Sequence, residues 1–239
     1  MQPNKHQLRA DRTREKILQA AIREFSEHGL AGARTGAIAG AAQVNKALLY
    51  YYFRDKEALY SASLEEVAGK VAGDALAVLD LDCSPGERIL RFALQHFDRV
   101  LGRRGFQALM QQEMVRFHKG ESTSISIIAK KAFEPMFTRL RQVIDEAIGA
   151  GELCDVEWMQ IVYSSLGANV FYFLTAPMVQ FMTLANPLDP AAVAARRIAA
   201  MEFLGQALFT DRRRGACLAQ TVLSAMPMPE IAIPERKTA

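Results

Sequence analysis

Residues 34–56 read RTGAIAGAAQVNKALLYYYFRDK, and this stretch decides the fold. Its first half is rich in small residues, which favour a short helix over 35–42 that another helix can approach closely. After a tight turn, Asn45 has the side chain of an N-cap for a second short helix, from Lys46 to about Phe53. Two short helices joined by such a turn are typical of a helix-turn-helix.

A longer helix precedes this pair and is predicted to supply the surface on which it packs. Apolar residues recur there at the spacing of one helix face: Ile17, Leu18, Ala21, Ile22 and Phe25. Asp11 is a candidate N-cap, and Gly29 stands where a left-handed residue commonly ends a helix. The sequence therefore predicts a three-helix domain whose helix-turn-helix covers about 34–53.

The second short helix divides into an inner and an outer face. Leu49 and Phe53 are four residues apart and are expected to point to the core, whereas Asn45 and Lys46 lie at the exposed N-terminal end. That end of a recognition helix meets base edges in the major groove of DNA. Lys46 can donate to guanine or to phosphate, and Leu48 suits a thymine methyl group.

Three consecutive tyrosines, Tyr50, Tyr51 and Tyr52, follow on the same helix. Because successive residues of an α-helix are about 100° apart, at least one of the three is exposed beside the lysines. Its hydroxyl can donate to a phosphate oxygen, and Lys56 adds positive charge at the start of the next helix. The alternative is that the tyrosines form an aromatic core cluster and that Lys46 is a solvated lysine.

The charge of the chain is concentrated near its start. Residues 1–60 hold 10 Lys and Arg against 6 Asp and Glu, whereas residues 61–239 hold 19 against 20. The excess positive charge therefore lies in the first quarter, as expected for a segment that faces phosphate.

The rest of the chain also has helical periodicity, so the predicted fold class is all-α, with about nine helices and no sheet. The motif Ser84-Pro85-Gly86-Glu87 has the pattern of a capping box with proline at the first helical position. Asp155 is a candidate cap for a helix that ends near Pro177. The later helices are expected over about 56–81, 84–101, 105–117, 122–148, 155–173 and 189–208.

Several function classes are disfavoured by what the sequence lacks. Cys83, Cys154 and Cys217 are widely separated, which argues against a disulfide framework and fits a reducing cytoplasm. Residues 1–14 are polar and charged without an apolar core, so we expect no secretory signal there. Residues 158–188 carry no charge, but polar residues and a proline interrupt them, so we expect a buried or interface helix and no membrane span. The four histidines have no metal spacing and no phosphate-binding glycine loop is present, so the sequence predicts no enzyme, no catalytic residue, no metal and no cofactor.

The later helices are also expected to enclose a pocket for a small apolar or aromatic effector. The candidate lining residues are aromatic or sulfur-containing side chains with one polar anchor: Phe106, Met110, Met114, Phe117, Tyr163, Asn169, Phe171 and Tyr172. The alternative for each of them is an ordinary place in a helical core.

Three segments of the N-terminal region closely resemble the DNA-binding domain of the TetR/AcrR family, the tetracycline repressor-like regulators. They are Phe25-x3-Gly29, Ile38-Ala39-x2-Ala42-x-Val44-Asn45-Lys46 and Leu49-Tyr50-Tyr51-Tyr52-Phe53-x-Asp55-Lys56-Glu57-Ala58-Leu59. The resemblance covers about residues 11–70. It implies a helical homodimer that binds a palindromic double-stranded DNA operator and is released from it by a small molecule.

The resemblance also implies which residues line the DNA: Asn45, Lys46, Ala47, Leu48, Tyr50, Tyr51, Tyr52 and Lys56. The chain departs from the family pattern at two positions. Ala33 stands where a capping threonine is usual, so Arg34 is expected to make that phosphate contact instead. Gln43 replaces the usual turn glycine, and we expect it to adopt a left-handed conformation at a cost of about 1 kcal/mol.

The domain organisation follows from these assignments. We expect a flexible arm over 1–10, a DNA-binding domain over 11–70, an effector-binding and dimerisation domain over 71–225 and a proline-rich tail over 226–239. The last two long helices, over about 158–176 and 191–209, are expected to form the homodimer surface, in which Gly167 allows close approach. The predicted function is a cytoplasmic, ligand-responsive transcriptional repressor. The alternative is an architectural or interaction protein with the same DNA-binding head and no effector.

Overall fold

The computed structural model describes residues 5–102, 104–122, 124–183 and 185–229. Within these ranges every regular element is a helix, and one isolated β-bridge joins Leu153 to Phe209. The predicted all-α fold class is therefore confirmed. No described helix is both long enough and apolar enough to cross a bilayer.

Ten helices are formed by the described residues. The first six are α1 (Lys5–Gly32), α2 (Thr35–Ala41), α3 (Lys46–Tyr52), α4 (Lys56–Leu79), α5 (Pro85–Gly102) and α6 (Arg104–His118). Two long helices each contain a π-helical turn: α7 consists of Ser124–Ile128, Ala129–Phe133 and Glu134–Gly149, and α8 of Trp158–Val162, Tyr163–Gly167 and Ala168–Thr183. The last two are α9 (Pro190–Leu208) and α10 (Arg212–Ala225).

The chain divides into two compact units. The first contains residues 1–73 and 104–135, and the second contains residues 74–103 and 136–239. Helices α4 and α7 each continue from one unit into the other. The boundaries predicted from the sequence separate a DNA-binding domain from an effector-binding and dimerisation domain, and they stay a prediction.

The core of the first unit is built from α1, α2, α3, α4, α6 and the first part of α7. Its largest fully buried side chains include Phe25 and Tyr60, whose rings meet edge to face at 5.0 Å. Ile17, Leu18 and Ala21 of α1 are buried, as their spacing predicts. Burying a side chain such as Phe25 contributes roughly 1.5–3 kcal/mol, so this shared core fixes the helix-turn-helix on α1.

In the second unit the backbones of α9 and α10 approach each other directly, without side chains between them. A Cβ added to Gly215 would lie 1.9 Å from the carbonyl oxygen of Gly205, so the two helix backbones nearly touch. Asp211 caps α10 by accepting from the N–H groups of Arg213 and Arg214 at 2.9 and 3.1 Å. Residues 209–225 were expected to belong to the helical domain, but no separate helix was predicted there, although an aspartate at the start of α10 is a usual signal.

Three local expectations are corrected by the structure. Helix α1 begins at Lys5, so Asp11 lies inside it and is not its N-cap. Glu157, and not Asp155, caps α8, because its carboxylate accepts from the N–H of Gln160. Helix α8 also continues through Pro177 to Thr183, since a proline removes one hydrogen bond and bends a helix without having to end it.

The expectations for the Ser84 capping box and for Gly29 are each observed in part. Ser84 accepts from the N–H of Glu87 at 3.3 Å and so caps α5, while the Glu87 carboxylate pairs with Arg91 instead of completing the box. Gly29 does interrupt α1, but at φ 66° and ψ 177° it is not in the left-handed helical region. That conformation is essentially restricted to glycine, and a further helical turn follows it. The predicted tail lies outside the described residues from position 230 onward.

Candidate nucleic-acid interface

Helix α3 is fixed by its cap and by its inner face. The Asn45 side chain accepts from the N–H of Leu48 at 2.7 Å, as an N-cap does. Leu49 is fully buried and Phe53 is 5% exposed, both in the core of the first unit. The predicted inner face is therefore confirmed, and the opposite side of the helix is left toward solvent.

The outer face of α3 carries the residues expected to meet DNA. Lys46, Ala47, Leu48 and Tyr51 are exposed, and Tyr51 is 80% exposed. Such an exposure leaves the ring of Tyr51 without a core role, so the alternative of an aromatic core cluster does not hold for this residue. The ring of Tyr52 is half-buried and meets the Tyr51 ring edge to face at 5.4 Å.

Lys46 and Tyr50 connect the outer face of α3 with α2. The Lys46 side chain passes over the first turn of α2, where a Cβ on Gly36 would lie 3.2 Å from its Cε and 3.5 Å from its Nζ. The hydroxyl of Tyr50, which is exposed, donates to the Thr35 hydroxyl at 3.3 Å. An ammonium group and two hydroxyls thus lie together on one surface, which is the chemistry that phosphate oxygens accept.

The turn between α2 and α3 depends on one unusual residue. Gln43 has φ 57°, the only positive φ of a non-glycine residue in the described ranges. The N–H of Val44 donates to the Ala39 carbonyl at 2.9 Å, which closes the turn. The left-handed conformation predicted for Gln43 is therefore confirmed.

Arg34 lies at the N-cap position of α2 but does not cap it with its side chain. Its backbone N–H donates to Oε1 of Glu24 at 2.9 Å, so a carboxylate of α1 accepts a hydrogen bond from the N-cap residue of α2. The guanidinium of Arg34 is left exposed. The sequence analysis missed the role of Glu24, because a partner ten residues earlier has no local signal.

Lys56 lies at the start of α4 and is half-buried. Its Nζ donates to the carbonyl oxygen of Ala31 at 3.2 Å, which ties the end of α1 to α4 and leaves two N–H groups for other acceptors. Asp55 caps α4, because its Oδ1 accepts from the N–H of Ala58 at 2.7 Å. That hydrogen bond, followed by the one from Arg54, lowers the pKa of the Asp55 carboxyl.

The effector candidates divide between the two units. In the first unit Met110 packs partly buried against the core, Met114 and Phe117 are exposed, and the side chain of Phe106 lies outside the described part. In the second unit Asn169 is 3% exposed and Tyr172 is half-buried, whereas Tyr163 and Phe171 are 67% and 65% exposed. Asn169 borders a cleft of about 200 Å³ between α8 and α9.

Helix α8 also presents a long apolar surface to solvent. Phe171, Leu174, Met178 and Phe181 are exposed at spacings of three and four residues, Met182 is the next residue, and Tyr163 lies eight residues before Phe171. Phe203 of α9 is 65% exposed. Contiguous apolar surface of this kind marks an interaction site.

Comparison with known proteins agrees with this geometry. Residues 17–63, which contain α2, α3 and the buried part of α1, match the family model described as bacterial regulatory proteins of the tetR family. The transcriptional repressor NicS of Pseudomonas putida is 42% identical over 82 residues, 34% of this chain and 38% of that protein. The regulator RutR of Escherichia coli strain K12 is 46% identical over 54 residues, 23% of this chain and 26% of that protein. The chain thus spans less than two fifths of the length of the curated relatives it matches.

Solved structures share the fold over most of the chain. The regulator FadR of Bacillus subtilis, in complex with stearoyl-CoA, superposes with a TM-score of 0.61 at 17% identity and covers 80% of this chain and 96% of its own. Reduced NemR of E. coli superposes with a TM-score of 0.58 at 21% identity and covers 77% of this chain and 95% of its own. Residues 17–63 therefore match the tetR family of bacterial regulatory proteins in sequence, and most of the chain shares its fold with solved regulators.

Proposed function

We propose that this chain is a ligand-responsive transcriptional repressor that binds a palindromic DNA operator as a dimer. The observation that carries the proposal is the two-sided character of α3, on which Leu49 is fully buried while Lys46, Leu48 and Tyr51 are exposed. One side of this helix is fixed in the core, and the other side presents a cation, an apolar side chain and a phenol. Such a helix suits the major groove of DNA. The curated relatives bear names of repressors and regulators, which supports the same conclusion.

The DNA-contacting residues we propose divide by chemistry. Base contacts are assigned to the exposed N-terminal part of α3, and phosphate contacts to the cations and phenols around it. The full set is Arg34, Asn45, Lys46, Ala47, Leu48, Tyr50, Tyr51, Tyr52 and Lys56. A protein with this role acts on the chromosome in the cytoplasm.

We propose that the apolar surface of α8, with Phe203 of α9, forms the homodimer interface. Six large exposed side chains of α8 expose more apolar surface than a monomer usually leaves in water. Gly167 is exposed between Tyr163 and Phe171, and a Cβ built on it meets nothing within 4 Å of the same chain. Replacing Gly167 with Glu should therefore leave each subunit folded but convert the dimer to a monomer, as measured by light scattering, whereas an unchanged dimer would refute this interface.

Repression in this proposal depends on the distance between the two DNA-binding heads of the dimer. The operator is bound when both heads meet successive major grooves, about 34–36 Å apart. An effector that prefers a different spacing shifts the population away from DNA by no more than its differential affinity. The stearoyl-CoA in the FadR structure supports an effector, and the architectural alternative is not favoured.

The experiment that tests the function is an electrophoretic mobility shift with the DNA upstream of this protein's own coding region and a random duplex of equal length. At low ionic strength we expect both duplexes to bind, and with rising salt the non-specific complex should dissociate first. A variant with Lys46→Ala and Tyr51→Ala should lose the specific complex while it keeps its helical circular dichroism. Absence of binding to every duplex at low salt would overturn the proposed function.

A further inference from the structure

The cleft between α8 and α9 in the second unit has a volume of about 200 Å³ and is bordered by an arginine, Arg196. An engineered apolar cavity of about 150 Å³ is enough to bind benzene, so this volume accommodates one ring with a small substituent. Its apolar wall includes Ala200 and Leu204, and its polar wall includes Ser164, Asn169 and Arg196.

Arg196 has no counter-ion in the part of the chain that the structure describes. Its Nε is fully buried and lacks a hydrogen-bond partner, and no described carboxylate lies within 4 Å of the guanidinium. The next residue, Arg197, forms a bidentate pair with Asp98, so the region supplies a carboxylate to one arginine and not to the other. An unpaired, partly desolvated guanidinium is a strong donor for an anion.

Tyr172 makes a cation–π contact with this guanidinium. Cζ of Arg196 lies 5.6 Å from the centroid of the Tyr172 ring, and the Tyr172 hydroxyl donates to the carbonyl of Pro187, which holds the ring in place. A cation–π contact does not consume the N–H donors of the guanidinium, so they are left for hydrogen bonds to a ligand. The N–H edge is the part of arginine that binds a carboxylate bidentately.

The other polar groups of the cleft are compatible with an organic anion. Ser165 donates its hydroxyl to the Ile161 carbonyl at 2.6 Å, whereas the Ser164 hydroxyl is exposed and free to donate. Asn169 is 3% exposed, and its amide nitrogen contacts the Ala93 carbonyl and the His96 ring at 3.5 and 3.4 Å. The cleft therefore offers donors at one end and an apolar wall at the other.

A second copy of the chain would not neutralise Arg196. The proposed dimer surface consists of α8, which has no charged residue, and α9, whose only acidic residue is Glu202. The Glu202 carboxylate already accepts from the Gln220 amide at 2.7 Å. The described residues of α8 and α9 therefore supply no free carboxylate to Arg196.

We propose that this cleft binds a small monocarboxylate with an aromatic or branched apolar body. Its carboxylate lies on the N–H edge of Arg196 with Ser164 beside it, and its body lies against Ala200 and Leu204. This assignment rests on the proposed function in naming the effector class, and it adds an anionic group to the small apolar or aromatic effector expected from the sequence. Because the cleft opens on the proposed dimer surface, a bound anion can alter how two subunits pack.

The test is calorimetric titration of the full-length protein, without DNA, using benzoate as the probe and benzamide as a neutral probe of the same shape. We expect benzoate to bind and benzamide to bind at least tenfold more weakly, because only the former makes a charge-assisted pair. Arg196→Met should weaken benzoate at least tenfold, Arg196→Lys should retain part of the affinity, and Arg213→Met, at an exposed arginine of α10, should change nothing. Unchanged affinity in Arg196→Met, or no binding of benzoate, isobutyrate or phenylacetate to the wild type, would overturn the proposal.

The mobility shift separates this inference from the proposed function. Arg196→Met in the absence of ligand should bind the specific duplex as the wild type does, since Arg196 is remote in sequence from the helix-turn-helix and belongs to the second unit. A wild-type protein that binds the specific duplex but not benzoate, isobutyrate or phenylacetate refutes the anion site alone. Benzoate binding by a protein that ignores all duplexes refutes the proposed function alone.

Discussion

Arg197 and Asp98 form a bidentate ion pair that joins α9 to α5. Nε of Arg197 lies 2.7 Å from Oδ1 of Asp98, and its Nη2 lies 2.8 Å from Oδ2. The same Nη2 donates to the carbonyl of Met226, just beyond α10, at 2.7 Å. Since Arg197 is only 5% exposed, this guanidinium depends on protein partners in place of water.

Removing one member of this pair should cost more than removing both. Asp98→Ala leaves a buried guanidinium without its counter-ion, and we expect the free energy of unfolding to fall by about 3 kcal/mol. Asp98→Ala combined with Arg197→Met removes the uncompensated charge and should recover at least half of that loss. Urea denaturation of the three proteins measures this, and a double variant less stable than Asp98→Ala would show that the pair acts differently.

The approach of Gly205 to Gly215 predicts a large effect from a single methyl group. Gly215→Ala places a Cβ 1.9 Å from a backbone oxygen of α9, which no side-chain movement can relieve, so the two helices must separate. We expect a loss of at least about 2 kcal/mol from overpacking. Gly69→Ala, on an exposed helix position where nothing lies within 4 Å, is the matched control and should gain up to about 1 kcal/mol. Equal thermal shifts for the two variants would contradict this packing.

The sequence predicted those parts of the fold that depend on local chemistry. The Asn45 cap, the buried Leu49 and the left-handed Gln43 each follow from a residue type and its immediate neighbours, and all three are observed. Two other contacts depend on residues distant in the chain, so no local pattern predicts them. They are the Glu24 carboxylate at the start of α2 and the backbone contact at Gly215.

The effector pocket also depends on contacts between residues distant in the chain, which the sequence does not predict. Aromatic spacing on a helix indicates which residues share a face, but not whether that face meets a core, a cavity or solvent. Tyr163 and Phe171 were therefore chosen on spacing and proved to be exposed. Arg196, which borders the cleft, was not a candidate, because an unpaired charge becomes visible only when its surroundings are known.

The strained turn at Gln43 can be relaxed by one substitution. Glycine adopts φ 57° without the clash that a Cβ causes, so Gln43→Gly should match or exceed the wild-type stability by up to about 1 kcal/mol. Gln43→Val should lose more than about 1 kcal/mol, because a β-branched residue is a genuine outlier in this region. Thermal unfolding gives the order, and a Gln43→Val variant as stable as Gln43→Gly would be inconsistent with a positive φ at this position.

The salt dependence of DNA binding distinguishes a phosphate contact of Lys46 from a base contact. In either case Lys46→Ala should weaken the specific complex by about 1–3 kcal/mol. If the ammonium group meets phosphate, the slope of log affinity against log salt should also decrease by about 1. Lys70→Ala, at an exposed lysine of α4, is the control and should leave affinity and slope unchanged. Fluorescence anisotropy at several salt concentrations measures both, and wild-type affinity in Lys46→Ala would remove this residue from the interface.

His96 makes the stability of the second unit dependent on pH. Burial, followed by the positive charge of Arg99, lowers the pKa of the His96 ring to about 4 from an ordinary 6.5. The unfolded chain therefore takes up a proton near pH 6.5 while the folded chain does not, so the stability present above that pH declines as the pH falls toward 4. At 1.36 kcal/mol per pKa unit the total loss is at most about 3 kcal/mol, less in so far as the ring keeps some access to water. His96→Gln lacks the titrating group, so its stability in urea should change less between pH 7 and pH 4.5 than that of the wild type. If the free energy of unfolding changed equally with pH in the two proteins, the ring would be protonated as easily in the folded state as in the unfolded one. Its contact with Asn169 would then not require a neutral nitrogen.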